Sequence, residues 1–267
     1  MNNNLFNLDD KVALVVGGRG RLGMSFCDIL SNFGARVYSA DITERNNTKD
    51  IQHKQVLLDV TSEKNVDEVV RNIIDEETKI DIMIYSVTAK PKDFFLPFTE
   101  CSLEGWQKIL AVELDGLFLV SKIVGQHMEQ KGSGKVIFIS SIYGVVGNDQ
   151  RIYEGSNLGE VYCGEQTRKQ IFSHAGYSAV KGAIISITRY LASYWGNKGI
   201  RVNCISPGGI SNSDENETFV QRYNYRVPLG RKATEDDISS AVLYLASDAS
   251  KYITGHNLVI DGGLTIW

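Results

Sequence analysis

Short apolar runs recur along the chain, at Val12 to Val16, Arg36 to Ala40, Gln55 to Leu58, Ile80 to Tyr85, Lys135 to Ser140, Arg201 to Ile205 and Leu258 to Ile260, each closed by a polar or glycine-containing turn. Continuous rather than alternating apolarity marks strands buried on both faces, so each run is expected to be a strand of a parallel sheet. Between them the apolar spacing lengthens to three and four residues. Leu22, Phe26, Ile29, Leu30 and Phe33 fall in this way on one face of a helix. Strand and helix alternate throughout, which predicts an α/β fold with a doubly wound parallel sheet and ligands beyond the carboxyl ends of its strands.

No repeat, low-complexity tract or Pro/Gly-rich linker divides the 267 residues, so 1–267 is read as a single domain. One stretch breaks the rhythm. Val145 to Gly176 has no clear strand or helix period and is dense in Gly, Asn, Arg, Glu and Tyr, which predicts a long substrate-side loop at about 145–176.

The glycines Gly17, Gly18, Gly20 and Gly23 follow the first strand directly and open a helix at about Leu22. There they allow a sharp turn and close approach of a pyrophosphate to a helix N-terminus, although the same pattern also serves as a plain turn. Arg19 and Arg21 lie in this loop and suit either the pyrophosphate or a 2′-phosphate. Asp41 ends the second strand, 18 residues after Gly23, where a carboxylate accepts hydrogen bonds from both ribose hydroxyls and repels a 2′-phosphate. That favours NAD over NADP; the alternative is a cap for a segment from Thr43 onward. Asp59, at the end of the third strand, suits the adenine amino group, or a cap for a helix beginning near Ser62.

Tyr177 and Lys181 are four residues apart and share a helix face, where an ammonium favours the phenolate needed for acid–base work near neutral pH. An exposed i to i+4 pair has the same spacing. Upstream lies a strand ending in Ser140 and Ser141; downstream lies Val202 to Ile205 followed by Ser206-Pro207-Gly208-Gly209.

With these blocks in place the chain resembles the short-chain dehydrogenases/reductases over nearly its whole length, from Lys11 to Gly263. The resemblance implies a Rossmann-type sheet of about seven strands, a nicotinamide cofactor and a homo-oligomer, tetramer or dimer. It also implies roles. Tyr177 exchanges the proton with the carbonyl or alcohol oxygen, Lys181 lowers the tyrosine pKa and holds the nicotinamide ribose, and Ser141 hydrogen-bonds the reacting oxygen. The cofactor set becomes Gly17, Arg19, Arg21, Leu22, Gly23, Asp41, Asp59, Val60, Ser86, Tyr177, Lys181, Pro207, Gly208 and Ile210. The blocks Thr188 to Trp195 and Asp261 to Trp267 look similar to bacterial members associated with surface-sugar or flagellin modification.

The chain departs from the family pattern in three places. Tyr85-Ser86-Val87-Thr88 stands where Asn-Asn-Ala-Gly is usual. Glu113 replaces the helix asparagine of the proton relay; a carboxylate can hold the relay water, pair with Lys181, or form a structural ion pair with Lys108 or Lys122. Ser141 and Tyr177 are 36 positions apart where about a dozen is usual. The extra residues, with Arg151, Tyr153, Tyr162, Arg168, Lys169 and His174, are expected to shape the substrate pocket or an oligomer contact, and suit a sugar, nucleotide-sugar or phosphorylated substrate; a solvated loop is the plainer alternative. Ser213 to Tyr225 is expected to be a mobile lid.

The leading expectation is a dehydrogenase or reductase for a secondary alcohol or ketone, with a small-molecule sugar derivative as partner. A cofactor-binding protein without catalysis and a sugar-nucleotide epimerase or dehydratase are the competing readings. A formal net charge of -4 gives no footprint for nucleic acid. Cys27, Cys101, Cys163 and Cys204 form no C-x-x-C pair, so neither zinc nor disulfides are expected. His53, His127, His174 and His256 are scattered and expected at the surface. No apolar run reaches the roughly 20 residues of a membrane span and Met1 to Asp10 carries no basic residue, so a cytoplasmic protein is expected.

Overall fold

The structure is a computed structural model that describes residues 5–43, 53–164 and 170–267. Its elements run β1 (Val12–Val16), α1 (Arg21–Asn32), β2 (Arg36–Asp41), β3 (Lys54–Leu57), α2 (Glu63–Glu77), β4 (Ile82–Tyr85), α3 (Leu103–Leu110), α4 (Gly116–Lys131), β5 (Gly134–Ile139), α5 (Leu158–Cys163), α6 (Ala175–Trp195), β6 (Ile200–Pro207), α7 (Glu217–Tyr225), α8 (Glu235–Ala246) and β7 (Asn257–Ile260). All seven strands pair in parallel, in the order β3-β2-β1-β4-β5-β6-β7. This is the doubly wound α/β sheet read from the sequence.

The two-residue period of the strands divides their side chains between two cores. Val12, Leu14 and Val16 join Val66 and Val70 of α2, Leu117 and Val124 of α4 and Ile184 of α6. Ala13 and Val15 face the other way, onto Phe26 and Leu30 of α1 and Ile238 and Val242 of α8. Each such aliphatic side chain, fully removed from water, contributes about 1.5–3 kcal/mol. The order reverses between β1 and β4, and the chain ends leaving these strands open the crevice there.

The described part of 145–176, residues 145–164 and 170–176, is not the structureless loop expected. A 3₁₀ turn at Gln150–Tyr153 and the short α5 lie within them, and Glu154 bridges Gln170. Ile152, Tyr153, Leu158 and Ile171 form a third core with Phe219, Tyr223 and Val227. The segment expected as a lid thus contains α7, whose Phe219 and Tyr223, one turn apart, give it an apolar anchor despite a polar sequence. Asn157 and Asn216 tie the two together: the Asn216 amide donates to Asn157 Oδ1 at 2.8 Å, and Asn157 Nδ2 donates to the Asp214 carbonyl at 2.7 Å.

No disulfide joins the four cysteines, and Cys27 and Cys204 are buried. The surface expectation for the histidines needs correcting. His174 is buried and His53 keeps only 7% of its side chain exposed, whereas His256 is exposed. Among the described residues no helix is long and apolar enough to cross a membrane, and no group of acidic, Cys and His residues is arranged to hold a metal.

Candidate active site

The glycine turn after β1 is fixed by the Ala40 carbonyl, which accepts from the amides of Gly17 and Gly18 at 2.8 and 3.0 Å. Gly17 has φ +80°, and a Cβ on it would stand 2.5 Å from the Ser86 carbonyl oxygen. A Cβ on Gly23 would stand 2.0 Å from the Gly17 oxygen. Only glycine fits either place. Gly20 precedes α1 and offers no side-chain cap, and the first turn holds no acid. The leading amides and the positive end of the helix are therefore left for an anion, and they fit the pyrophosphate of a dinucleotide.

At the end of β2, Asp41 accepts from the amides of Arg19 at 3.1 Å and Ile42 at 2.8 Å. Residues 44–52, which the alternative cap would serve, lie outside the described residues. The Arg19 guanidinium is buried beside the Val56 carbonyl at 3.4 Å, with its Nε and Nη1 unpartnered. Arg21 is held differently from the expected phosphate clamp: it pairs with Glu235 and donates to the Ser211 carbonyl, bridging α1 to the segment after β6. Asp59 does not cap α2. Its Oδ1 takes the amide and hydroxyl of Thr61, and Ser62 is the cap, accepting from the Asn65 amide at 3.3 Å.

Tyr177 and Lys181 stand on successive turns of α6. The Lys181 ammonium lies 2.9 Å from Glu113 Oε2, 3.1 Å from the Ile139 carbonyl oxygen and 5.4 Å from the Tyr177 ring centroid. Burial works against the lysine charge, but the Glu113 carboxylate and the Tyr177 side chain outweigh it, so its pKa is raised. Glu113 is fully buried, and its Oε1 accepts from the Ala89 amide at 3.1 Å. It occupies a π-helical turn at Ala111–Asp115, a distortion frequent at functional sites. Of the pairings expected for Glu113, the structure selects Lys181; Lys122 goes to Glu63 instead.

Ser141 follows β5, its Oγ accepting from the Tyr143 amide at 3.2 Å. Gly144 lies so near the Lys181 backbone that a Cβ would come within 2.6 Å of it, which lets the serine turn close onto α6. Ser141, Tyr177 and Lys181 line one cavity of about 1110 Å³ with the glycine loop, Asp41, Asp59, Val60, Ser86, Pro207, Gly208 and Ile210. Glu113 does not line it; it lies behind Lys181.

Tyr153 and Tyr162 of the inserted segment also reach the cavity, as do Phe94, Lys90, Lys232 and Tyr143. The Tyr143 and Tyr153 hydroxyls are 2.9 Å apart, and burial pushes both phenols up. Arg151 is drawn away by Asp149, and Arg168 and Lys169 lie outside the described residues. His174 caps α6, its Nδ1 accepting from the Gly176 amide at 2.9 Å, and stacks on Phe94, which meets the Tyr177 ring edge-on at 6.0 Å. Burial lowers the His174 pKa, keeping Nδ1 free to accept. Sequence reasoning missed Phe94 and Lys90 because the segment after β4 has no periodicity; their signal was position alone, a polar and aromatic stretch leaving a strand at the crevice.

Comparison with known proteins adds the family context. Residues 11–157 match the family model described as short chain dehydrogenase, and residues 162–265 one described as enoyl-(acyl carrier protein) reductase. An NAD-dependent glycerol dehydrogenase of Listeria innocua is 31% identical, over 98% of this chain and 96% of its own. A short chain dehydrogenase of Leptospira borgpetersenii with bound NAD+ superposes with a TM-score of 0.86 at 32% identity, covering 99% and 96% of the two chains. A gluconate 5-dehydrogenase of Burkholderia cenocepacia in complex with NADP and tartrate gives a TM-score of 0.80 at 26% identity, over 98% of each chain.

Proposed function

The chain belongs to the short-chain dehydrogenase family, is an NAD(P)-dependent oxidoreductase, and from that premise we propose that it uses NAD to interconvert a secondary alcohol and a ketone on a sugar-derived small molecule. The observation that carries this reading is the convergence of Ser141, Tyr177 and Lys181 on the cavity that the glycine loop opens. The nicotinamide, when bound, supplies or takes the hydride.

The protein's own residues do the rest. Tyr177 gives its phenolic proton to the carbonyl oxygen in reduction and removes the alcohol proton in oxidation. Ser141 donates to the same oxygen and orients it. Lys181, kept charged by Glu113, favours the phenolate and reaches the nicotinamide ribose; Pro207, Gly208 and Ile210 border the ring. Gly17, Leu22 and Gly23 take the pyrophosphate, with Arg19 beside the adenosine. Asp41, fixed by two backbone amides, favours the ribose hydroxyls of NAD over a 2′-phosphate. Asp59, Val60 and Ser86 border the adenosine.

A sugar derivative is supported by the aromatic and hydroxyl-bearing wall of Tyr143, Tyr153 and Tyr162 and by the likeness of the 188–195 and 261–267 blocks to the surface-sugar branch. Four cysteines without a disulfide suit a reducing compartment and support a cytoplasmic place. A homo-oligomer, tetramer or dimer, is supported by Phe118 of α4 and Tyr190 and Tyr194 of α6, all at least half exposed on adjacent helices; light scattering would measure it. The functional test is a titration with NADH and NADPH followed by nicotinamide fluorescence, then by NAD reduction with a panel of secondary alcohols. Tight NADH binding with turnover of at least one polyol or sugar acid is expected; no binding of either dinucleotide would overturn the reading.

A further inference from the structure

The cavity is lined by several cations, and most are already matched. Arg21 meets Glu235, Lys181 meets Glu113, and Lys232 meets Glu215 in a pair whose side chains are 4% and 3% exposed. Arg19 donates to the Val56 carbonyl beside Asp41. Lys108 has no carboxylate partner among the described residues, but it stands on an exposed face of α3. Lys90 also has none; it too is exposed, but where it lines the cavity an aromatic ring holds its ammonium.

What holds Lys90 is a ring. Its ammonium sits 3.7 Å from the centroid of Tyr162, and the Tyr162 hydroxyl is 3.5 Å from both Asn212 and Glu215. A ring face attracts the charge but accepts no conventional hydrogen bond, so the donors of Lys90 are free to exchange water for a ligand in the cavity. Burial pulls the lysine pKa down, while Cys163 and Glu113 act in the opposite sense.

The location adds a second argument. Lys90 follows the altered Tyr85–Thr88 segment by two residues and Tyr162 belongs to α5 in the extra length between Ser141 and Tyr177, so residues at or beside two departures from the family pattern meet at one point. From there the wall continues through Phe94, four residues on, to the ring of Tyr177. The Lys90 ammonium supplies one charge-assisted donor group, which one carboxylate matches.

We propose that Lys90, held by Tyr162, is a carboxylate subsite, so that the preferred substrate is a hydroxy acid or its keto acid rather than a neutral polyol. This rests on the oxidoreductase reading above. The test compares wild type, Lys90→Met, Lys90→Arg and Tyr162→Ala with glycerate, tartrate and gluconate against glycerol, threitol and glucitol. Melting temperatures verify that each variant folds, and calorimetry measures tartrate binding to the NADH complex independently of turnover.

Wild type is expected to prefer acids. Lys90→Met should lower the acid-to-polyol ratio of kcat/KM and weaken tartrate binding by about tenfold to hundredfold, the loss of one charge-assisted hydrogen bond. Lys90→Arg should recover most of both, and Tyr162→Ala should lose part. An unchanged ratio with unchanged tartrate binding, or a Lys90→Met loss that falls equally on NADH affinity, would overturn the subsite. Wild type that binds neither dinucleotide and turns over neither set would instead overturn the oxidoreductase reading itself.

Discussion

Glu113 Oε2 lies 2.9 Å from the Lys181 ammonium, and neither side chain exceeds 3% exposure. The position read as the family's relay asparagine is thus filled by a counterion of Lys181. Removing one member of a buried pair leaves the other uncompensated, at about 3–5 kcal/mol. Glu113→Gln is expected to lower the melting temperature by about 10 °C. Glu113 raises the Lys181 pKa, and burial alone would lower it. The lysine's stabilising charge is present below its unfolded pKa and is lost as pH rises through the folded one. In the variant that loss comes at lower pH, so the alkaline limb of the kcat profile should shift downward. An unshifted profile with a lowered melting temperature would leave Glu113 a purely structural role.

Tyr177→Phe removes one oxygen from a ring that Phe94 supports. NADH affinity should stay within about threefold, while turnover falls by roughly 10²–10⁴, the usual contribution of positioned acid–base catalysis. Stopped-flow hydride transfer beside a fluorescence titration separates the two.

Asp41→Ala removes the carboxylate at the end of β2 but leaves Arg19 beside it. NADH should bind about tenfold more weakly, from loss of charged hydrogen bonds to the ribose, and NADPH more tightly, from loss of repulsion. Titrations of both dinucleotides at one ionic strength measure the change in ratio; an unaltered ratio would contradict the role given to Asp41.

Asp81 offers a control away from the cavity. It accepts from the Val12 amide at 2.9 Å and pairs with Lys131 at 2.5 Å and Lys79 at 3.3 Å. Burial works to raise its pKa, but the lysines and the amide prevail and hold it below the usual value. A depressed carboxyl pKa stabilises the fold above about pH 4 and loses its effect as pH falls toward the folded value. Asp81→Asn should therefore cost about 1–3 kcal/mol at pH 7 and progressively less below pH 4. Thermal melts across that range check it.

The strands were legible because both faces are covered, so runs such as Val12–Val16 are apolar without alternation. Tyr177 and Lys181 were legible because helical spacing puts them on one face. The Glu113 pairing was open among three lysines, since sequence distance does not say that a π-helical turn brings residue 113 under residue 181. Helix α5 was hidden by its length: six residues with a glycine show no period. His174 was misplaced at the surface because an N-cap histidine has no periodic signature; its burial comes from Phe94, a residue 80 positions away.

Every strand pairing in the sheet is parallel, and none can form as a hairpin. Each requires a crossover, so the chain must close long segments before any pairing stabilises it, a topology that folds slowly. The crevice draws on the ends of β1, β2, β4, β5 and β6 together and exists only when the sheet is complete. A dinucleotide that recognises this crevice recognises the finished chain alone, adding about 2.7 kcal/mol at a concentration 100 times its Kd. The supply of cofactor and the survival of the protein against proteolysis are in this way coupled.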